Sequence, residues 1–448
     1  MRSEKEILAL NAFDGRFAAG MDAQIRQAVE RRLRSFGSAS VLAYQEPIRM
    51  VRAEGVWMED AAGRRYLDMY NNVPSVGHAH PRVVGAIQRQ AALLNTHTRY
   101  LCDVVDDYAE RLLATFPESL ARLVLTCTGS EANDLALRIA RTGTGGSGFI
   151  VTQTAYHGNT AAVTDVSPSS APGRPLPPHV RAVPAPDLYR SPTDDLGARF
   201  AAEVKLAIDD LERHGIRLAG LLVDTIFSSD GVFADPSGFL AGAVEIVHRR
   251  GGLFIADEVQ PGFGRTGTAL WGFARHGVAP DIVTLGKPMG NGFPMGGVVT
   301  RPDLLDQFTA EVKYFNTFGG NPVAAAAGLA VLDVIRDERL TENAHSVGEY
   351  LMDALRAIAN RHIHIGDVRG SGLFVGLELV QDRDSRTPAP EIASRVINGL
   401  RDARILIGAA GPYGSTLKIR PPLCFTRSDA DLFVVACDTI LGGRAAAS

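Results

Sequence analysis

The sequence is poor in lysine. It contains 46 basic residues, but only five of them are lysines: Lys5, Lys205, Lys287, Lys313 and Lys418. The formal net charge is −4, so the chain carries no general positive charge of the kind that attracts nucleic acid or an anionic membrane. We expect neither as a partner. Because lysine is scarce, a lysine at a special place in the fold needs a chemical reason.

Cysteine and long apolar runs are also scarce. The four cysteines, Cys102, Cys127, Cys424 and Cys437, are too few and too scattered for a disulfide framework or a zinc cluster. His78 and His80 have no carboxylate or cysteine at ligand spacing, so we expect a turn or helix-start role and no metal. No run approaches the ~20 apolar residues of a membrane span, and the charged start is unlike a signal peptide. We expect a cytoplasmic protein.

The order of the predicted elements indicates an α/β fold. Short apolar runs alternate with helical patterns between residues 67 and 335, which predicts a large domain with a mostly parallel sheet. Residues 336–448 predict a smaller α+β domain, which residues 1–66 are expected to join. The runs that predict buried strands are LVLTC (123–127), GFIVT (148–152), LAGLLVD (218–224), LFIAD (253–257) and DIVTLG (281–286).

The segment LVLTCTGSEANDLALRIAR predicts a strand, a turn and a helix that begins near Ser130 or Glu131. Thr128, Gly129 and Ser130 then lie on the turn, where N–H groups and hydroxyls suit an anion at the helix N-terminus. A helix cap made of small residues is the alternative. A second glycine cluster near 141–148 follows a helix and precedes a strand, so we expect a loop there and no dinucleotide site.

Two strands end in residues that can carry chemistry. LFIAD ends at Asp257, and an acid at the carboxyl end of a parallel strand points into the crevice where such folds bind ligands. DIVTLG runs directly into Lys287, and a desolvated lysine can form a Schiff base. A buried ion pair or an ordinary strand end is the alternative for each residue alone. Pyridoxal phosphate needs such a lysine, an acid at its ring nitrogen and a phosphate cradle.

With these residues in place, the chain resembles the class III (ω-type) aminotransferases, which are fold-type I pyridoxal-phosphate enzymes. The resemblance covers nearly the whole chain. The motifs that carry it, in order, are TGSEANDLALRIAR, AYHGNT, FIADEVQPGFGRTG, TLGKPMGNGFPMGG and FNTFGGNPVAAAAGLAVL.

The resemblance implies a role for each matching residue. Lys287 would bond to pyridoxal phosphate and later move the substrate proton, and Asp257 would hold the ring nitrogen. The other implied cofactor contacts are Gly129 and Ser130 at the phosphate, Tyr156 on the ring face, His157 in the same loop, and Gln260 at the ring hydroxyl. Thr317 resembles the threonine that reaches the neighbouring subunit's cofactor, which implies a homodimer with its sites at the interface. Glu131 and Asn133 follow the motif, with helix-start chemistry as the alternative.

The reaction is less firmly indicated than the cofactor. Many members of the class have an arginine three residues before the prolines of a PPL sequence. Here LKIRPPLCF places Lys418 there, with Arg420 beside the prolines. This stretch and the run YNNVPSVGHAHPRVVGAIQRQAALLNTHTRYL resemble the ethanolamine-phosphate phospho-lyase branch, which implies β-elimination of phosphate from a phosphorylated amine.

Residues that would hold the leaving phosphate are a hypothesis: Asn71, Arg99, Lys418 and Arg420. The alternative reaction is amino transfer to a keto acid by an ω-aminotransferase. A cofactor-sensing regulatory protein on the same fold is a third interpretation, disfavoured by the intact lysine and by the lack of a basic helix-turn-helix extension.

Overall fold

A computed structural model describes residues 12–15 and 20–443 of the chain. The helices are α1 (Ala23–Phe36), α2 (Pro81–Leu93), α3 (Asp103–Leu113), α4 (Gly129–Thr144), α5 (Ala161–Asp165), α6 (Leu196–Arg213), α7 (Ala241–Arg249), α8 (Pro302–Glu311), α9 (Pro322–Asp337), α10 (Leu340–Ala359), α11 (Pro390–Asp402) and α12 (Arg427–Leu441). No helix among these is long and apolar enough to cross a membrane.

The strands form three sheets. They are β1 (Met50–Glu54), β2 (Trp57–Asp60), β3 (Arg65–Asp68), β4 (Arg122–Thr126), β5 (Gly148–Thr152), β6 (Val180–Val183), β7 (Leu218–Asp224), β8 (Leu253–Asp257), β9 (Ile282–Leu285), β10 (Gly296–Thr300), β11 (Ile365–Ser371), β12 (Phe374–Leu379), β13 (Ile405–Leu406), β14 (Gly408–Ala410) and β15 (Thr416–Ile419). The predicted strands at 148–152, 218–224 and 253–257 are confirmed with the same bounds.

The central sheet has seven strands in the order β4-β10-β9-β8-β7-β5-β6. Strands β5 to β9 pair in parallel, as the α/β prediction requires, whereas β10 is antiparallel to both β4 and β9. Because β10 lies between β4 and β9 and is antiparallel to both, β4 runs in the same direction as β7, β8 and β9. Their carboxyl ends therefore meet at one edge of the sheet.

Amphipathic helices cover this sheet. The apolar face of α4, predicted from Ala132, Leu135 and Ile139, is fully buried, and α4 contacts β7, β8, β9 and β10. The alanine-rich run from residue 322 forms α9, a buried helix that packs against α2 and α3. Its small side chains allow close approach of the neighbouring helices, so the run belongs to the core.

Two smaller sheets combine distant parts of the chain. One has the order β1-β2-β3-β13, in which Ile405 pairs with Leu67 in parallel, so the early strands share a sheet with a late one. The other sheet, β11-β12-β15-β14, is antiparallel. Lys418 lies on β15, which has β12 on one side and β14 on the other. The exact domain boundaries near residues 66 and 335 stay a prediction.

Three local predictions need correction. Helix α4 begins at Gly129, one or two residues before the predicted start, because Thr128 accepts a hydrogen bond from the Glu131 N–H and so takes the N-cap position. The glycine cluster at 141–148 is only partly a loop, since Gly145 ends α4 in the left-handed region at φ 63°. The run SGLFVGLELV (371–380) predicts a strand throughout, but it is a hairpin turn followed by a strand, with Gly372 at φ 55° between β11 and β12.

Candidate active site

The carboxyl ends of four strands supply the polar groups of the site. Asp224 ends β7, Asp257 ends β8, Lys287 follows β9 by one glycine, and Thr128 follows β4. These positions converge because the four strands point the same way. They line a cavity of about 200 Å³ together with the other cofactor residues predicted from the sequence: Gly129, Ser130, Tyr156, His157 and Gln260.

The turn that begins α4 is shaped as a cradle. A Cβ added to Gly129 would lie 2.9 Å from Val259 Cγ2, and one added to Gly158 would lie 2.5 Å from Ser130 Oγ. The Asn159 N–H donates to Ser130 Oγ at 3.2 Å, which joins the loop after β5 to this turn. The open N–H groups of a 16-residue helix then face the cavity, and such a helix start favours an anion.

Asp257 is held in place by three donors. Its Oδ2 accepts from Asn133 Nδ2 at 3.0 Å and lies 2.7 Å from His157 Nδ1, while its Oδ1 accepts from the Val259 N–H at 3.1 Å. Asn133 also donates to the His157 carbonyl and accepts from Thr284 Oγ1. Asn133 therefore orients both the acid and its histidine, a role that goes beyond the helix start.

The Lys287 amine lies in the cavity beside these acids. Burial, followed by the charge of Arg420, lowers the pKa of Lys287 to about 8, although Asp257 and Asp224 act in the opposite direction. An amine with this pKa is partly unprotonated near neutral pH, whereas an ordinary lysine is not. It can therefore act as a nucleophile or as a base.

A second cavity of about 610 Å³ opens from the first, and Tyr156, Gln260 and Lys287 line both. Among the proposed substrate residues, Asn71, Lys418 and Arg420 line this larger space. Apolar side chains of the segment before β1 (residues 41–48), of β1 and β2, and of residues 406–409 cover much of its wall. The cavity therefore leads from Lys287 to a pair of cations.

Arg420 is fixed by the loop after β3. Its Nη1 donates to Asn72 Oδ1 at 3.2 Å and to Gln260 Oε1, and its guanidinium lies 4.6 Å from the centre of the Tyr70 ring. Within the described chain its Nε, which is buried, has no hydrogen-bond partner. The guanidinium is oriented but retains a free donor.

Gln260 links Arg420 to Asp224 through a chain of hydrogen bonds. Its Nε2 donates to Ser228 Oγ at 2.5 Å, and Ser228 in turn donates to Asp224 Oδ2. Burial raises the pKa of Asp224. Sequence reasoning missed Asp224, Ser228 and Asn72, although Asp224 ends a buried strand in the same way as Asp257.

Two predicted residues lie outside both cavities of this chain. Arg99 is exposed and lies 4.2 Å from the centre of the Phe315 ring, and Thr317 is exposed two residues further along. The neighbouring Asn316 donates to Glu131 Oε2 at 3.2 Å, so this segment lies beside the start of α4. Large apolar side chains are exposed on this segment and on the one that carries Arg99: Tyr100, Leu101, Phe315 and Phe318. The two segments meet through the His97 ring, which contacts the rings of Tyr100 and Phe315.

The predicted histidine pair takes ordinary structural positions. His80 is the N-cap of α2 and lies 3.0 Å from Glu338, and His78 lies 2.7 Å from Asp68. In the part of the chain that the structure describes, no group of three or more acid, histidine or cysteine side chains could hold a metal ion.

The geometry agrees with the comparisons to known proteins. The sequence profile of the aminotransferase class-III family matches residues 40–441. The chain belongs to this family. Its fold is that of the fold-type I enzymes, and its cofactor is pyridoxal phosphate.

Two kinds of class III relative are similar to this chain. A phospholyase from Arthrobacter, solved in complex with phosphoethanolamine, is 44% identical with a TM-score of 0.90, covering 93% of this chain and 99% of that one. The ethanolamine-phosphate phospho-lyase homolog 1 of Caenorhabditis elegans is 38% identical, covering 95% of both chains. The alanine–glyoxylate aminotransferase 2-like protein of Drosophila melanogaster is 40% identical, covering 91% of this chain and 85% of the relative.

The residues of the smaller cavity fit this cofactor. A Cβ at Gly129 would collide with Val259 and one at Gly158 with Ser130, so these glycines allow the close approach of the loops that surround the start of α4. The buried His157 Nε2 has no hydrogen-bond partner in the described residues, which leaves a polar atom for a ligand. The acid, the reactive lysine and the anion site that pyridoxal phosphate requires are all present.

Proposed function

We propose that this class III enzyme is a phospho-lyase that eliminates phosphate from O-phosphoethanolamine, or from a similar small phosphorylated amine, giving an aldehyde, ammonia and phosphate. The observation that carries the proposal is the pair of cations, Lys418 and Arg420, in the cavity that begins at Lys287. Two cations match the charge of a phosphate dianion. The similarity to the Arthrobacter phospholyase supports the same substrate class.

In the proposed holoenzyme, the α4 cradle of Gly129 and Ser130 holds the cofactor phosphate. Asp257 keeps the ring nitrogen protonated, and Asn133 and His157 fix the position of that acid. Tyr156, half-buried between the two cavities, covers a ring face. When bound, pyridoxal phosphate supplies an electron sink for a carbanion.

Lys287 has two successive roles in this proposal. Lys287 would hold the cofactor, and its unprotonated amine would remove the proton from the substrate carbon that bears nitrogen. Its pKa of about 8 keeps a substantial fraction unprotonated near neutral pH, as a general base requires. Arg420 and Lys418 hold the phosphate at the far end and so orient the adjacent carbon–oxygen bond.

The active unit in this proposal is a homodimer with the cofactor sites at its interface. Leu101 is 96% exposed and Phe318 is 70% exposed, and they belong to the same apolar surface as Arg99 and Thr317. A patch of this kind on a chain suggests a covered interface. Thr317 would then contact the cofactor of the partner subunit, and Arg99 would reach that site as well.

An ω-aminotransferase is the second candidate. The Drosophila relative is named as an aminotransferase and is about as similar as the phospho-lyase homologue. A single carboxylate could bind Lys418 or Arg420 in place of phosphate. Elimination needs no keto acid, whereas amino transfer depends on one.

The deciding experiment measures phosphate and aldehyde release from O-phosphoethanolamine by the cofactor-loaded enzyme without a keto acid. We expect repeated turnover with equal amounts of both products. No release, together with amino transfer once pyruvate is added, would refute the phospho-lyase and favour the aminotransferase.

A further inference from the structure

The proposed elimination places a demand on the leaving group. A phosphate monoester is a dianion near neutral pH, because its second pKa is about 6. When the carbon–oxygen bond breaks, the electron pair stays on the phosphate oxygen, and the product is a strongly basic trianion unless a proton arrives. An acid in contact with the phosphate would therefore accelerate bond cleavage.

Lys418 lies where such an acid is needed. Its side chain is 4% exposed and lines the larger cavity with Lys287 and Arg420. Its partners on the two neighbouring strands are Gly376 and Gly408, so no side chain at the paired positions obstructs it. Within the described residues the ammonium makes no hydrogen bond or ion pair, and lies 5.5 Å from the centre of the Phe374 ring.

The two cations of the cavity differ chemically. Arg420 is held by Asn72 and Gln260, and a guanidinium does not lose its proton in a protein, so it is a fixed positive charge. A lysine ammonium can release a proton. Burial, followed by the Arg420 charge, holds the pKa of Lys418 well below its ordinary value. A bound phosphate dianion acts in the opposite direction and favours the protonated form of Lys418.

We propose that Lys418 is the general acid that protonates the departing phosphate. This role rests on the proposed phospho-lyase function. Lys287 takes the proton from the carbon that bears nitrogen, and the electrons of that bond end in the new carbon–carbon double bond. The carbon–oxygen bond breaks with its pair on oxygen, and the Lys418 proton moves to that oxygen. Hydrogen phosphate leaves, and Lys418 regains a proton from water.

Lys418→Arg separates acid catalysis from binding, since arginine keeps the charge but cannot donate its proton. We expect the kcat for O-phosphoethanolamine to fall about 10²–10⁴-fold, with KM changed only a few-fold. Ethanolamine O-sulfate releases sulfate, which needs no proton, so its elimination should fall by less than about 10-fold. Lys205→Arg, at an exposed lysine paired with Asp209, is the matched control and should behave as wild type.

A calorimetric measurement tests the same role without turnover. Inorganic phosphate is titrated into holoenzyme at an alkaline pH at which it is already the hydrogen phosphate dianion, in buffers of different ionisation enthalpy. Wild type should take up a proton on binding, and Lys418→Arg should bind with similar affinity without proton uptake. If the arginine variant does not fold, Lys418→Met should lose both phosphate affinity and proton uptake.

The possible outcomes are distinct. A wild-type kcat in Lys418→Arg, an equal loss with the sulfate ester, or absence of proton uptake in wild type would each overturn the acid role. Wild type that releases no phosphate would remove the phospho-lyase function and the acid role together.

Discussion

The two ends of the active-site cavity differ in how their polar groups are satisfied. At the cofactor end, around the smaller cavity, Asp257 accepts from three donors, and Asn133 is bonded at both its oxygen and its nitrogen. The buried His157 Nε2 is the exception there, since it has no partner in the described residues.

At the cation end, around Lys418 and Arg420, donors lack acceptors in the described chain. Lys418 makes no hydrogen bond or ion pair with the described residues, although the charges of Asp224 and Asp230 favour its ammonium. The buried Arg420 Nε and Asn72 Nδ2 are unpaired within this part of the chain.

This difference indicates what each end holds. A network in which the acid and its neighbouring amide are fully paired fixes these groups in advance, and this suits a rigid ring that must sit in one orientation. Buried donors without acceptors are unfavourable until a ligand with many acceptor oxygens arrives. A phosphate has only acceptors in its dianionic form, so the cation end is suited to it.

The largest effect should come from the residue common to both ends. Lys287→Ala removes the amine that we propose holds the cofactor and moves the proton, so phosphate release should fall by about 10⁴-fold or more. Lys205→Ala, at the surface, should leave the rate unchanged. A Lys287→Ala enzyme within about 10-fold of wild type would show that another group performs the chemistry.

The cofactor end predicts a smaller loss for its acid. Asp257→Asn keeps the shape but removes the charge opposite the ring nitrogen, so turnover should fall about 10²–10³-fold while the fold persists. The control is Asp353→Asn, at a carboxylate whose side chain is 77% exposed. If Asp257→Asn turns over as fast as the control variant, the charge of the Asp257 carboxylate plays no part in turnover.

More of the cofactor end than of the cation end can be predicted from the sequence alone. Asp257 is the last residue of a buried strand, and Lys287 comes two residues after the end of the next one. Both can therefore be predicted from the local sequence. Asp224 follows the same rule at the end of β7 and was missed, although the signal was present. The antiparallel direction of β10 was not predicted, since an apolar run does not encode strand direction.

The cation end depends on contacts between distant residues. Arg420 meets Asn72 and Tyr70 only because the segment after β15 packs against the loop after β3, more than 300 residues away in sequence. No local sequence pattern predicts that contact. Arg99 and Thr317 lie outside the cavities of a single chain, so their proposed roles require a second subunit.

The cation end predicts a change in substrate affinity. Arg420→Gln removes a fixed charge but keeps hydrogen-bonding groups, so the KM for O-phosphoethanolamine should rise about tenfold, with little change in cofactor absorbance. Arg427→Gln, in a helix start remote from the cavity, is the control. An unchanged KM would remove Arg420 from the phosphate site.

The close packing at the start of α4 can be tested with one added methyl group. Gly129→Ala places a Cβ 2.9 Å from Val259 Cγ2, so overpacking of about 1–3 kcal/mol should weaken cofactor binding. Adding Val259→Ala should restore part of the affinity, measured by cofactor titration of the apoprotein. Gly20→Ala, where a Cβ meets nothing within 4 Å, should have no effect. No rescue by the double variant would mean that the Val259 contact is not the cause.

The two ends are also coupled through charge, because Arg420 helps to lower the pKa of Lys287 to about 8. Only the unprotonated amine reacts with the cofactor aldehyde, so the rate of cofactor uptake by apoprotein should rise with pH and level off above about 8. Arg420→Gln removes a positive charge that disfavours the ammonium, so the pKa of Lys287 rises and the midpoint of uptake moves to higher pH. Stopped-flow uptake across pH measures this shift, with Arg427→Gln as the control. A midpoint that does not move would show that burial alone sets the reactivity of Lys287, and that the cation end acts on the substrate and not on the lysine.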